Sequence, residues 1–414
     1  MHNRSGGWIA IVVMILFDLY VFQAVKYLTN ESSDKVRMIV YSIYWTLSIS
    51  AVVLIILLPY WTIETYPKTI RNYLFATFIG LFLAKLIAAL FFVLDDSRRG
   101  ITWIVGKALS NNSNIGTQDW NLSRSAFLSW LGIAVGGGLF TTLMYGFSNK
   151  YNYQLKRLKL TYKNLPSGFK GLKIVHISDI HSGSLTDKNA VLKGVELLLN
   201  EKPDIVLFTG DLVNDHADEM EKYKDVFNKV TAPMGVFSTL GNHDYGDYIQ
   251  WNSPEEKKQN LENLKNVHKE IGWKLLMNEH VVLDRNGDQI ALLGIENWGA
   301  KGNFPKYGKL DEAYIGAENH AFKILMSHDP SHWDAEVKPK YPDIDLMLAG
   351  HTHGMQFGLE TPFMKWSPVQ WMYKQWAGLY EDGKQKLYIN RGFGFIGYPG
   401  RVGIMPEITV IELS

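Results

Sequence analysis

The sequence predicts an N-terminal transmembrane bundle of about four helices followed by an α/β domain. Two observations predict this fold class: four long apolar stretches lie before residue 150, and short apolar runs alternate with polar helical stretches after it. The chain of 414 residues is also too long for one ordinary domain. We therefore place a transmembrane helical domain at residues 1–149 and an α/β domain at residues 150–414.

The apolar stretches of the first domain are each long enough to cross a bilayer, which takes about 20 residues. The first stretch lacks a small-residue cleavage site, so we interpret it as a span and not as a signal peptide. The fourth contains Gly136, Gly137 and Gly138, which would let another helix approach closely. The predicted spans are Trp8–Leu28, Met38–Trp61, Tyr73–Leu94 and Ala126–Phe147.

Asp18 and Lys85 fall inside predicted spans, where one charge costs about 2.5–3.5 kcal/mol. They could belong to a proton or substrate path, or they could form an interhelical ion pair. A lysine can also extend to the membrane interface. Because two isolated charges do not make a pathway, we favour the structural interpretation.

Composition and charge exclude some functional classes. The formal net charge of +1 argues against a nucleic-acid binder, and the absence of cysteine excludes disulfides and thiolate metal sites. The four apolar stretches instead predict an integral membrane protein whose partner is the lipid bilayer. The basic residues that follow the last span favour a cytoplasmic α/β domain under the positive-inside rule; they are Lys150, Lys156, Arg157, Lys159 and Lys163.

The second domain has the alternating pattern of an α/β fold. Three polar stretches predict helices, namely Asp187–Asn200, His216–Val230 and Pro254–Ile271. Eight short apolar runs predict strands, namely Leu172–Ser178, Asp204–Thr209, Gly235–Leu240, Gln289–Ile295, Phe322–Ser327, Asp345–Ala349, Lys386–Asn390 and Glu407–Leu413.

Polar motifs follow five of these strands. In the first motif, Asp179 and His181 are two residues apart, so on extended backbone both side chains would project the same way. Ligands of α/β sheets bind beyond the carboxyl ends of the strands, and glycine beside a ligand residue lets the backbone approach closely. Imidazole, carboxylate and amide groups together suit Mn, Fe or Zn better than Ca or Mg. The other four motifs are Gly210-Asp211, Gly241-Asn242-His243-Asp244, Ser327-His328 and Gly350-His351-Thr352-His353.

This set of motifs, in this order, resembles that of the calcineurin-like metallophosphoesterases over about residues 160–414. The resemblance implies a four-layer α/β/β/α sandwich that holds two divalent ions, which we expect to be Mn, with Fe and Zn as alternatives. It implies that His243 faces the phosphoryl group, and that hydroxide bridging the two ions attacks the phosphorus in line. The implied ligands are Asp179, His181 and His353 for one ion, Asn242, His328 and His351 for the other, and Asp211 for both.

Several family members have a second acid three residues after the bridging aspartate, where it hydrogen-bonds the catalytic histidine. Here that position is Asn214. We hypothesise that its side-chain amide orients His243 without charge support, so that His243 stabilises charge more than it donates protons.

The remaining histidines have less specific surroundings. His176 lies in mid-strand, which predicts a core residue, and His328 follows its strand more directly than the alternative ligand His332 does. We predict surface positions for His216, His268, His280 and His320.

Two segments bear on the substrate. The tryptophan-rich stretch Thr361–Tyr380 is either an ordinary loop over the site or an interfacial segment that meets the bilayer or a lipid chain. Arg391 and Arg401 lie in a glycine-rich stretch, where each could bind a phosphate bidentately or form a structural ion pair.

The resemblance is to the membrane-associated branch of the family, which includes UDP-diacylglucosamine pyrophosphatases of lipid A synthesis. It implies hydrolysis of a phosphodiester or pyrophosphate bond in an amphiphilic, lipid- or nucleotide-linked phosphate at a bacterial inner membrane. One alternative is a broad-specificity phosphodiesterase or phosphatase that acts on other envelope lipids or phosphoproteins. Another is a non-enzymatic metal-binding interaction module, which we disfavour because such proteins typically lose ligands and every ligand position here is filled.

Overall fold

The computed structural model describes residues 4–57, 68–110, 125–302 and 304–414. The chain forms two compact units, Met1–Tyr145 and Gly146–Ser414. The observed boundary therefore lies close to the one predicted at residues 149 and 150.

Helices and strands are numbered in chain order. The helices are α1 Arg4–Leu28, α2 Asp34–Leu57, α3 Lys68–Ser110, α4 Ala126–Gly146, α5 Lys188–Asn200, α6 Lys224–Phe227, α7 Pro254–Glu270, α8 Leu310–Tyr314 and α9 Lys338–Lys340. The strands are β1 Gln154–Leu160, β2 Lys173–Ile177, β3 Ile205–Thr209, β4 Val236–Thr239, β5 Lys274–Leu275, β6 Glu279–Arg285, β7 Asp288–Gly294, β8 Lys323–Met326, β9 Leu346–Ala349, β10 Leu359–Glu360, β11 Lys365–Trp366, β12 Gly378–Asp382, β13 Gln385–Ile389 and β14 Glu407–Leu413.

The first unit consists of α1 to α4, all four of which are long and apolar enough to cross a membrane. This confirms the predicted number of spans. Helix α3 has 43 residues, so it is longer than the predicted span and longer than the roughly 30 Å of bilayer hydrocarbon that a helix must cross. Its second half carries Asp95, Asp96, Arg98 and Arg99, charged residues that are costly to place in hydrocarbon. Residues 58–61 of the predicted second span lie outside the described residues.

The charges inside the spans form an ion pair. The Nζ atom of Lys85 lies 2.6 Å from Oδ1 of Asp18, and it donates a second hydrogen bond, also of 2.6 Å, to the hydroxyl of Ser48. The structural interpretation of these charges is therefore confirmed. Close helix packing is found at Gly136, where a Cβ would collide with the backbone of Ala84, whereas Gly137 and Gly138 have open space beside them.

The second unit contains two six-stranded sheets, with strand orders β1-β14-β2-β3-β4-β5 and β12-β13-β9-β8-β7-β6. One core lies between the sheets and includes Leu207 of β3 and Ile324 of β8. The outer face of each sheet packs on helices. Phe208 of the first sheet lies in a core with residues of α5 and α7, and Leu325 of the second sheet lies in a core with residues of α8. Since both faces of each sheet are covered, the central strands are mostly apolar. The predicted four-layer α/β/β/α sandwich is confirmed.

All eight predicted strands are present, with ends that differ by at most one residue. The predicted helix His216–Val230 is wrong: the structure has a 3₁₀ turn at Ala217–Met220 and the short helix α6. The turn is held by side chains from elsewhere, since Ala217 N donates to Asn260 Oδ1 and Asn214 N donates to Glu219 Oε2. The strands missed by prediction are short or half-exposed and carry charged residues, as β1 does.

Candidate metal centre

The predicted ligand motifs converge where the two sheets meet. Asp179 and His181 follow β2, Asp211 follows β3, and Asn242 follows β4, all in the first sheet. His328 follows β8, while His351 and His353 follow β9, both in the second sheet. The sheets are joined at this point, because the backbone N–H of His351 donates to Asp179 Oδ1 at 3.0 Å.

One group of ligand atoms belongs to Asp179, His181 and His353. These atoms lie within 4.8 Å of one another, and all three residues are buried. The two imidazole Nε2 atoms are 3.0 Å apart, and Nε2 of His353 is 3.3 Å from Oδ1 of Asp179. Such a cluster of carboxylate and imidazole atoms away from water fits a divalent ion.

A second group belongs to Asp211, His328 and His351, whose ligand atoms also lie within 4.8 Å of one another. Asn242 joins this group, because its Oδ1 is 2.7 Å from Nδ1 of His351. Oδ2 of Asp211 lies 3.1 Å from Nε2 of His328 and 3.5 Å from Nε2 of His181. Asp211 therefore sits between the two groups, in the position that the bridging assignment requires.

Hydrogen bonds set the free ring nitrogen of two ligands. Nδ1 of His328 lies 2.6 Å from the carbonyl oxygen of Thr209, which can only accept, so Nδ1 carries the hydrogen and Nε2 is left as the ligand atom. Nε2 of His351 lies 2.8 Å from the hydroxyl of Tyr373, which in turn donates to Asp329 Oδ2 at 3.3 Å. This orientation leaves Nδ1 of His351 to bind an ion beside Asn242.

The backbone of the ligand residues is strained. Five of them have a positive φ, between 48° and 72°, a conformation uncommon outside glycine: Asp179, His181, Asp211, His351 and His353. The expectation that Asp179 and His181 lie on extended backbone is therefore wrong, since the chain turns sharply as soon as β2 ends. Residues in such conformations persist only where their surroundings hold them, and they cluster at functional sites.

Glycines beside the ligand residues let the backbone pass closer to the ligands than any side chain would allow, as predicted. A Cβ on Gly350 would collide with Ser178 and Asp179, and a Cβ on Gly241 would collide with the carboxylate of Asp211. Gly392 also abuts the ring of His353.

The buried ligands differ in charge state. Burial lowers the pKa of His181, His351 and His353, so these rings are neutral. Burial alone would raise the pKa of Asp211, but His328 and His243 hold that pKa well below its usual range. Burial alone would lower the pKa of His328, yet the Asp211 carboxylate raises it to about 10, so ion binding at His328 must release a proton.

His243 lies beside the ligands at the cavity wall. Its backbone N–H donates to Oδ1 of Asp211 at 2.8 Å, and its ring Nδ1 lies 2.9 Å from the main-chain carbonyl oxygen of Asn214. The side chain of Asn214 instead donates to Ser184 Oγ at 2.9 Å. The hypothesis that the Asn214 amide orients the ring is therefore wrong, because the backbone carbonyl occupies that position. Nε2 of His243 is left as the atom that can exchange a proton with a substrate.

Asp244 was given no role by the sequence, although it belongs to the third motif. Its buried carboxylate accepts hydrogen bonds from the backbone N–H groups of Gly241, Asp211, Leu212 and Val213, at 2.8 to 3.2 Å. It thereby ties together the two loops that carry Asp211 and Asn242. Burial, and next the charge of Asp211, raise the pKa of Asp244 to about 7.

Arg391 and Arg401 do not line the cavity, so the alternative in which they bind a substrate phosphate is wrong, and the structural alternative describes them. Arg391 is buried and pairs with Glu407 and with Glu360. Arg401 is fully buried and donates to backbone carbonyls, among them that of Arg391 at 2.7 Å, and its Nη2 lies 3.1 Å from Nδ1 of His353. Both guanidinium groups therefore have protein partners, and that of Arg401 also contacts the ligand His353 directly.

The other histidines lie as follows. His176 and His332 are buried and bonded to protein groups, so His328 is the histidine that reaches the site. His268 was predicted on the surface, but it is fully buried beside Phe208 and Trp273.

A cavity of about 280 Å³ opens over the ligand groups. Tyr248 and Phe304 form an aromatic wall: the Tyr248 ring is 4.7 Å from that of His243, and the Phe304 ring is 5.1 Å from that of His351. The described lining residues are His181, Asp211, Asn242, His243, Tyr248, Phe304, His351, His353 and Ile396.

Comparison with known proteins shows the family of this chain. Residues 172–355 match the family described as "Calcineurin-like phosphoesterase", and residues 4–150 match "Probable Calcineurin-like phosphoesterase, transmembrane domain". The "Uncharacterized metallophosphoesterase YkuE" of Bacillus subtilis is 31% identical over 71% of this chain and 98% of its own length. The "Transmembrane protein with metallophosphoesterase domain" of Danio rerio is 27% identical over 62% of this chain, which spans only 56% of that protein. "Phosphodiesterase YaeI" of Escherichia coli is 26% identical over 58% of this chain and 82% of its own length. This chain therefore belongs to the calcineurin-like phosphoesterase family, as a membrane-associated, metal-dependent phosphoesterase.

Proposed function

We propose that this protein hydrolyses a phosphodiester bond in a membrane-resident amphiphile. The observation that carries this proposal is the cavity lining, whose described residues include no lysine or arginine. A phosphomonoester carries close to two negative charges at neutral pH, whereas a diester carries one. Without a lysine or arginine in the described lining, the protein offers no cationic side chain for the second negative charge of a monoester, whereas the single charge of a diester needs none.

The aromatic wall supports the same preference. Tyr248 and Phe304 offer apolar surface beside His243 and His351, which suits the second ester substituent that a diester has and a monoester lacks. The relative named phosphodiesterase agrees with this choice.

The donor set fits two divalent ions, and we propose Mn, with Fe or Zn as alternatives. When bound, such ions polarise phosphate oxygens and lower the pKa of water. Asp211 holds its position between the two ligand groups, and Asn242 contributes a neutral oxygen that leaves more positive charge facing the phosphate. Nδ1 of His243 is fixed by the Asn214 carbonyl, so Nε2 faces the leaving group, to which the ring donates a proton when it is protonated and whose charge it otherwise stabilises.

The proposed setting is the bacterial inner membrane with the metal centre on the cytoplasmic face. The membrane helices and the basic residues from Lys150 to Lys163 support it. We keep UDP-diacylglucosamine as a candidate substrate on the ground of the family resemblance alone, because no described contact favours uridine and the described lining offers no cationic side chain to its pyrophosphate. Broader action on other envelope lipids is the alternative.

The test uses full-length protein in detergent, loaded with Mn(II). Four substrates are compared: a chromogenic diester, its matched monoester, UDP-diacylglucosamine and a glycerophospholipid. We expect kcat/KM for the diester to exceed that for the monoester by tenfold or more. Equal or faster monoester turnover would refute the diester assignment. Turnover of UDP-diacylglucosamine that far exceeds that of the phospholipid would identify the pyrophosphate substrate instead.

A further inference from the structure

A group of large apolar side chains is exposed between residues 355 and 372 of the second unit. Phe363 is 98% exposed and Trp371 is 77% exposed, and neither is covered by the described residues. Exposed apolar groups of this size mark a surface that meets a partner or a membrane. We call this surface the apolar rim; it consists of Met355, Leu359, Phe363, Met364, Trp371 and Met372.

The apolar rim is built directly on the metal-ligand loops. Strands β10 and β11 pair through Leu359 and Trp366, and the ring of Trp366 lies 6.2 Å from that of Trp371. The hydroxyl of Ser367 donates to the carbonyl of Gly354, next to His353, at 2.8 Å. Tyr373, which follows Met372, contacts His351. Anything that binds the rim is therefore held close to both ligand groups.

The segment before the hairpin of the apolar rim is connected to the first residues of the second unit. The membrane helix α4 ends at Gly146, whose carbonyl accepts a 2.9 Å hydrogen bond from the N–H of Arg401. The next residue, Phe147, packs on Tyr398, with the ring centroids 5.5 Å apart. Val402 bridges to Phe357, two residues before β10. Within the second unit, the segment that leads into the hairpin therefore pairs with the same stretch, residues 398–402, that contacts Gly146 and Phe147.

The charges around the apolar rim suit an anionic lipid surface. Between Met355 and Trp376 the sequence has a single acidic residue, Glu360, and that residue pairs with Arg391. Lys301 and Lys374 line a cavity of about 190 Å³ beside the rim, in which Asp334 is already paired with Lys338 at 2.6 Å. Tryptophan and lysine together are typical of the interface between hydrocarbon and headgroups.

We propose that the apolar rim inserts into the interface of a bilayer that contains anionic lipids and holds the metal centre against that bilayer. The substrate is then a lipid phosphate presented from the membrane, a specification that rests on the proposed function. A second copy of the chain or another protein on the rim is the competing occupant.

The absence of cysteine from the sequence gives a direct test. Single Phe363→Cys and Trp371→Cys variants of the full-length protein are labelled with a fluorophore and reconstituted in vesicles that contain anionic lipids. The matched control is Ile315→Cys, an apolar residue of the same unit that is 74% exposed outside the rim. We expect the rim labels to be quenched by a lipid-phase quencher and protected from iodide, whereas the Ile315 label shows the reverse. Rim labels as open to iodide as the control would overturn the proposal. Labels protected from both quenchers would overturn it in favour of a protein occupant.

A second readout links the apolar rim to turnover. Phe363→Ser should leave Mn(II)-dependent hydrolysis of a soluble diester unchanged and lower turnover of vesicle-borne lipid substrate by about tenfold, the loss expected for one large apolar anchor. Equal lipid turnover by this variant and the unaltered protein would contradict the coupling. If the unaltered protein hydrolyses no diester, the proposed function fails while the labelling result still decides the membrane contact.

Discussion

The hydroxyl of Tyr373 lies 2.8 Å from Nε2 of His351, while Nδ1 of the same ring lies 2.7 Å from Oδ1 of Asn242. The tryptophan-rich segment therefore supplies a group that orients a metal ligand as well as an exposed surface. Asp329 completes the chain, because it accepts from the Tyr373 hydroxyl at 3.3 Å.

Removal of that hydroxyl should weaken one ion site. We expect Tyr373→Phe to lower Mn(II) affinity about 10–100-fold, as loss of a hydrogen bond behind a ligand does, with diester turnover recovering at saturating Mn(II). The measurement is activity as a function of Mn(II) concentration. Tyr380→Phe is the control, because Tyr380 accepts from Trp376 N in the same segment. An unchanged Mn(II) dependence in Tyr373→Phe would contradict this role.

Because His243 contacts the main chain of Asn214 and not its side chain, we expect the Asn214 side chain to have no effect on the pH dependence of catalysis. Since the ring meets the main-chain carbonyl, Asn214→Ala should leave the pH–rate profile unchanged and lower the free energy of unfolding by about 1 kcal/mol through the lost bond to Ser184. His243→Gln, in contrast, should lower kcat by about 10²–10⁴-fold. A shifted pH–rate profile in Asn214→Ala would show that the side chain reaches the ring after all.

Because Asp18 and Lys85 form an ion pair in the membrane unit, we expect substitutions at the two positions to have non-additive effects on the free energy of unfolding. Lys85→Met leaves Asp18 without its cation, and Asp18→Asn leaves Lys85 without its anion, so each should destabilise the unit by about 3–5 kcal/mol. The double variant removes both charges and should regain most of that loss. Unfolding of full-length protein in detergent, followed over a denaturant series, measures the three variants. Simple addition of the two single effects would indicate that the charges act independently.

The buried His268 predicts acid sensitivity. Burial lowers the pKa of His268 to about 3, from an ordinary value of about 6.5. On acidification the unfolded chain takes up the proton first, so this contribution to stability is complete above about pH 6.5 and is lost as the pH falls towards about 3. The difference in unfolding free energy between the unaltered protein and His268→Gln should therefore be larger at about pH 7 than at about pH 5. Trp273 fluorescence reports the transition, since its ring lies 6.3 Å from His268. A difference that does not change with pH would exclude this coupling.

Much of the fold was predictable because the central strands are covered on both faces. Runs such as Ile205–Thr209 are buried at every position, so they are apolar throughout and easily found. The half-exposed β1 and the short β10 and β11 lack that signal. The buried His268 was missed because its helix α7 is otherwise strongly polar.

The ligand set was predictable from the order of motifs, but the groups that support it were not. Asp244 reaches the 211–213 loop, and Tyr373 reaches His351, across contacts that no local pattern encodes. The arginines show the converse problem. Arg391 and Arg401 lie in a glycine-rich stretch that is typical of phosphate binding, yet Glu407 and backbone carbonyls already occupy their donors. Which partner an arginine finds depends on tertiary packing.

The most direct test of the two-ion account is the metal content of full-length protein after reconstitution with Mn(II). The account predicts two ions per chain, diester turnover that rises with occupancy, and loss of both in Asp211→Ala with the membrane unit still folded. Turnover that persists in Asp211→Ala, or in protein stripped of metal, would contradict it.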